Sequence, residues 1–142
     1  MTTIAYANGV LASDSQMTSC DGLFAGSMRK IGKRGAVMYG ATGTTSWIHT
    51  FLAWADHGFC GEPPRSEKDE DKASGFAIVG DMVHEWFPDG RFTRTKIDTF
   101  ADGSGAKIAY GAMAAGASPA EAVAAAIKFD IYSGGEIMVL HR

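Results

Sequence analysis

The chain has 142 residues, a hydrophobic fraction of 46% and 18 glycines, which suits one turn-rich domain, 1–142, with a buried core. Its formal net charge of −3 gives no electrostatic reason to bind nucleic acid or anionic lipid, and the one basic cluster, Arg29-Lys30 with Lys33-Arg34, is too short to change that. No apolar run approaches the roughly 20 residues that cross a bilayer, and the start, Met-Thr-Thr-Ile-Ala-Tyr, lacks the order of a signal peptide. Cys20 and Cys60 could form a bridge, but two cysteines make no disulfide framework, so a reducing cytoplasm is the expected location.

Residues 2–7 are β-rich, Asn8-Gly9 signals a tight hairpin turn, and Val10-Leu11-Ala12-Ser13 is the return strand. A second hairpin is expected from about Leu23 through Lys30-Ile31, turning at Gly32 to Gly35 and returning along Ala36 to Tyr39. Over 44–57 the period changes. Trp47, Ile48, Phe51, Leu52, Trp54 and Ala55 recur at helical spacing as a core-facing stripe, capped by Thr44 or Thr45 and ended by Gly58.

Pro63-Pro64 and the mixed-sign run Glu67 to Lys72 make 61–75 a polar loop. Beyond it, Phe76 to Val79 turns at Gly80-Asp81 into Met82 to Phe87. Pro88-Asp89-Gly90 is another turn, and Lys96 to Phe100 a further strand. Two alanine-rich helices follow. The first spans roughly Ser104 to Ala115. Ser118-Pro119-Ala120-Glu121 opens the second as a capping box, and it runs to about Tyr132. A last strand covers Glu136 to Leu140. Strands, helix, strands, two helices, strand: that order predicts a layered α+β fold with antiparallel sheets.

Chemistry starts at the terminus. Threonine is small enough for Met1 to be removed ahead of it, which would leave Thr2 with a hydroxyl and a free amine on adjacent carbons. A threonine hydroxyl needs a base at neutral pH, and an α-amine, which ordinarily titrates at about pH 7.7–8.0, can serve through a water. One residue would then supply nucleophile and base. Thr2-Thr3-Ile4-Ala5, Ala12-Ser13-Asp14-Ser15-Gln16, Met28-Arg29-Lys30-Ile31, Gly40-Ala41-Thr42-Gly43, Gly103-Ser104-Gly105 and Phe129-Asp130-Ile131-Tyr132-Ser133-Gly134-Gly135 lie along nearly the whole chain. In order and spacing they resemble the motifs of proteasome β-type subunits, and most closely those of the HslV family, the peptidase of a two-component ATP-dependent protease.

That resemblance implies an N-terminal-nucleophile (Ntn) hydrolase fold, a four-layer αββα sandwich of two antiparallel sheets. It implies Thr2 as the nucleophile of a threonine-type peptidase or amide hydrolase acting on peptides or unfolded proteins. Asp14 would orient the catalytic Lys30, the N–H of Gly40 would be the oxyanion donor, and Ser104, Asp130 and Ser133 would hold the terminus and its water. Taken singly, Asp14 could be a turn residue, Lys30 a solvated strand-end charge, Gly40 a backbone kink, Ser104 a helix cap, and Asp130 with Lys128 a charged helix end. The family forms rings, often with an ATPase unfoldase, so a homo-oligomer is expected. It also carries a second long helix after the first, which Pro63-Pro64 and the charge run do not allow, so the outer helical layer should be reduced. The alternatives are an inactive scaffold of the same fold and a non-proteolytic amidase. No cofactor or metal is implied: no Gly-Lys-Ser/Thr follows the glycine pair, and no His or Cys pair has close ligand spacing.

Overall fold

A computed structural model describes residues 2–19, 23–67 and 72–142; Met1, Cys20 and positions 68–71 of the charged run lie outside the described residues. The first hairpin is β1 (Ile4–Ala7) and β2 (Val10–Ser13), paired from Ile4 opposite Ser13 to Ala7 opposite Val10. The turn forms because Asn8 and Gly9 both take positive φ, 51° and 77°, as a two-residue hairpin of right-handed twist requires. β3 (Gln16–Thr18) and β4 (Phe24–Ser27) form a small two-stranded sheet; β5 (Ile31–Arg34) turns at Gly35 into β6 (Val37–Thr42). The expected second hairpin is thus shorter: the segment up to Ser27 leaves it to pair with β3, a strand too short and polar to be legible from periodicity.

α1 (Thr45–Asp56) is capped by Thr44, whose hydroxyl accepts the Trp47 N–H at 3.3 Å. β7 (Ser74–Val79), β8 (Met82–Trp86) and β9 (Phe92–Lys96) complete a five-stranded antiparallel sheet in the order β5-β6-β7-β8-β9. The polar loop therefore ends at 73, because Ser74 and Gly75 already pair with Thr42 and Ala41. β10 (Thr99–Asp102) pairs with β1 instead, in the four-stranded sheet β10-β1-β2-β11. The single strand expected over 96–100 is therefore not formed. The chain changes sheets at Ile97-Asp98, and Ile97 packs onto the core between them. α2 (Ala106–Ala114), α3 (Pro119–Phe129) and β11 (Met138–His141) finish the chain. α3 starts from the expected capping box, with Ser118 and Glu121 exchanging bonds at 3.1 and 3.2 Å.

Strand alternation builds the layers. Ile4, Tyr6 and Leu11 face Ile31, Met38, Phe76, Ile78 and Val83 across the two sheets. Ala5, Ala7 and Ala12, on the opposite face, meet α2 and α3 through Ala109, Met113, Ala122 and Val123. Among the described residues, α1 is the one helix on the outer face of the five-stranded sheet, through Trp47, Ile48, Phe51 and Leu52. The order is helix, sheet, sheet, helices, with one outer layer reduced.

Beside α1 the described residues fill the space with side chains. Phe59 sits at φ 59°, a left-handed conformation costing a bulky residue roughly 1–2 kcal/mol, with its ring 5.0 Å from Trp54 and 5.7 Å from Trp86. Gly75 sets how close α1 lies, since a Cβ there would run into the Phe51 ring. Gly75→Ala should cost about 1–3 kcal/mol and lower the urea midpoint with an unchanged m-value.

Candidate active site

The site forms where β1 begins, where the chain leaves β2 and β10, and where α3 ends. Asp14 follows β2 directly and is fully buried, as is Lys30, just ahead of β5, at 1% exposure. The Lys30 Nζ donates to both carboxylate oxygens of Asp14 at 3.0 Å. Asp14 also accepts the Thr3 N–H at 3.0 Å, the Gly134 N–H at 3.1 Å and the Gln16 N–H at 3.2 Å. Three amides and an ammonium converge on one carboxylate, which is what a buried charge requires. Burial pushes the Lys30 ammonium below its ordinary value, against the pull of Asp14 and, more weakly, Asp130. Neither residue is a solvated turn or strand-end charge.

Thr2 and Thr3 are both fully buried. The Thr2 N–H donates to the Ser104 Oγ at 3.1 Å, and the Thr2 carbonyl accepts the Gly105 N–H at 3.2 Å. Ser104 does not cap α2: the N-cap is Gly105, with no side-chain bond. Its hydroxyl lies 2.6 Å from the Asp130 carboxylate, which takes the Ser133 hydroxyl on the same oxygen at 2.5 Å. With that proton committed, Ser133 accepts from Thr3 Oγ1 at 2.7 Å. A continuous chain results, from the Thr2 N–H through Ser104 to Asp130 and from Thr3 through Ser133 to the same oxygen. Asp130 follows the last residue of α3, so the helix end aims this carboxylate.

Gly103, at φ 95°, allows the close approach of Thr2, because a Cβ there would overlap the Thr2 carbonyl. Gly103→Ala should therefore shift Thr2 and lower both melting temperature and any Thr2-dependent activity, read in parallel by calorimetry and turnover.

Six of the seven expected site residues thus join one hydrogen-bonded constellation: Thr2, Asp14, Lys30, Ser104, Asp130 and Ser133. Gly40 sits apart from it. It lies in the interior strand β6, in register with Ile31 on one side and Phe76 on the other. The Ala41 N–H turns to the Lys30 carbonyl at 3.1 Å, so by alternation the Gly40 N–H faces β7. Its missing Cβ makes room for Phe76 and Ile31. Thr3, Gly103 and Gly134 also belong to the site, although sequence reasoning assigns them no role; the doubled threonine is the one signal for Thr3. Among the described residues no group of three or more His, Cys, Asp and Glu is placed to hold a metal, and no helix is long and apolar enough to cross a membrane.

Two antiparallel sheets face to face with helices outside make an αββα sandwich, the fold seen in N-terminal-nucleophile hydrolases. The fold is HslV-like. HslV from Trypanosoma brucei superposes with a TM-score of 0.65 at 18% identity, covering 99% of this chain and 99% of that one. BPH of Thiobacillus denitrificans, solved in complex with epoxomicin, superposes with a TM-score of 0.64 at 19% identity over 98% of this chain and 96% of that one. BPH solved under its name alone gives 0.64 and 19%, over 98% and 95%. No family model and no curated protein matches the sequence. At such identities the likeness establishes the fold.

Proposed function

We propose that this chain is a threonine peptidase in which Thr2, freed of Met1, is the nucleophile and its α-amine the general base. The observation that carries the reading is the shared carboxylate. Asp14 holds the Lys30 ammonium and the Thr3 amide on the same oxygen, at 3.0 Å each, so the buried cation is pinned beside the Thr2–Thr3 peptide. Ser104, which gives its proton to Asp130, faces the Thr2 nitrogen as an acceptor. An amine there would keep its lone pair for the hydroxyl proton. Hydroxyl attack on the substrate carbonyl forms the tetrahedral adduct, and its collapse expels the amine product, which takes the proton. Water then hydrolyses the Thr2 ester. Lys30 stabilises the hydroxyl oxygen as its proton leaves. The Gly40 N–H, which faces β7, is not placed to be the oxyanion donor, which the reading leaves to another backbone N–H at the site.

The test uses a fluorogenic peptide and epoxomicin, the ligand of the BPH complex. The reading requires turnover together with an adduct mapped to Thr2. Processed protein with neither outcome rejects it. The reduced outer helical layer favours a second reading, a scaffold of the same fold without the reaction, for which retained Met1 is the mark. Turnover of small amides but not peptides would indicate an amidase. On the likeness to HslV we extend the proposal to a cytoplasmic homo-oligomeric ring that receives unfolded protein from an ATPase, to be checked by light scattering of the purified protein.

A further inference from the structure

We propose that Gln16 is a positioning residue, a strut that fixes the Asp130–Ser133 turn against the Asp14–Lys30 pair. The turn lacks apolar anchoring at its head: Phe129 is 77% exposed and Ile131 72% exposed. Hydrogen bonds must therefore hold it: Thr3 bonds Ser133, Ser104 bonds Asp130, and the backbone past Asp130 is held from the segment 14–16. The Gly134 N–H donates to Asp14, and the Ser15 N–H donates to the Gly134 carbonyl at 3.1 Å. Both of these grip the far end of the turn. At its near end, the Gln16 Nε2 donates to the Ile131 carbonyl at 3.1 Å, one residue past Asp130.

Gln16 is itself held on several sides. Its N–H bonds Asp14 at 3.2 Å and its second Nε2 hydrogen bonds Thr18 Oγ1 at 2.9 Å. Its Oε1 lies against Gly134, where a Cβ would overlap it. Both amide hydrogens are thus engaged. The same residue thus touches the carboxylate that holds Lys30 and the turn whose carboxylate holds Ser104. It ties the two halves of the site together alongside Thr3, whose N–H bonds Asp14 and whose hydroxyl bonds Ser133. Fixed separation of reacting groups is worth orders of magnitude in rate, and small displacements erode it.

The activity arm of the test rests on the reading of Thr2 given above; the structural arm does not. Gln16→Met keeps the length of the side chain and removes both donors, and Thr18→Val leaves the Ile131 bond intact as a control. Hydrogen–deuterium exchange is read over 130–134 in the full chain, alongside kcat and KM. Gln16→Met should speed exchange there about five- to tenfold, with α1 and β7 unchanged, and lower kcat about tenfold at constant KM. Thr18→Val should leave both near wild type. Exchange at the wild-type rate in Gln16→Met overturns the strut, whether or not the protein turns over peptide. Faster exchange with kcat unchanged in an active protein overturns its positioning role. If the wild type has no activity the Thr2 reading falls, and exchange alone decides for or against Gln16.

Discussion

Thr2→Ala should abolish peptide turnover, by about 10³-fold or more, and prevent the epoxomicin adduct, while the melting temperature stays within a few degrees of wild type. The loss is large because the side chain supplies the attacking oxygen itself, and the neighbouring hydroxyls are engaged elsewhere: Thr3 with Ser133 at 2.7 Å and Ser104 with Asp130 at 2.6 Å. The fold should survive because Thr2 is seated through its backbone, by the Ser104 and Gly105 bonds. Thr2→Ser, which keeps the oxygen and the amine, should retain measurable turnover. Equal activity in Thr2→Ala and wild type would mean that another residue attacks.

The second large effect concerns stability, and it is asymmetric. Asp14→Ala removes the counter-ion of a cation at 1% exposure and, in the same step, the acceptor of three amides. Removing one partner of a buried ion pair costs about 3–5 kcal/mol, and each orphaned buried donor adds on the order of 1 kcal/mol. Lys30→Met leaves the Asp14 carboxylate buried too, yet with all three amide donors in place. It should cost about 2 kcal/mol less than Asp14→Ala in urea denaturation. Both single variants should be inactive, through misplacement of Thr3 in one and loss of the ammonium in the other. Adding Lys30→Met to Asp14→Ala should recover part of the lost stability, since the buried ammonium is then gone. A larger cost for Lys30→Met than for Asp14→Ala would show that the carboxylate depends on the lysine more than on its amides.

How much of this is legible in the sequence divides by the range of the interaction. Asn8-Gly9, the stripe from Trp47 to Ala55 and the box at Ser118 are local signals, and each element forms where its residues place it. Ser104 shows the limit. After Asp102-Gly103 a serine reads as a helix cap, but its partners are Thr2, 102 residues away, and Asp130, 26 residues away, which no window along the chain contains. The link from Thr3 to Ser133, over 130 residues, is invisible for the same reason. Periodicity fails at 96–100, where Ile97 and Phe100 both serve the core while the strands on either side of Ile97 belong to different sheets. Gly40 is legible as a glycine with a purpose; the purpose that the fold displays is room for Phe76.

The whole mechanism requires an amino group that only appears when the initiator residue is cut away. Intact-mass analysis of the protein isolated from its natural host tests this directly. The expected mass is that of the chain beginning at Thr2; a mass that still includes Met1 would contradict the assignment of Thr2 as nucleophile and base.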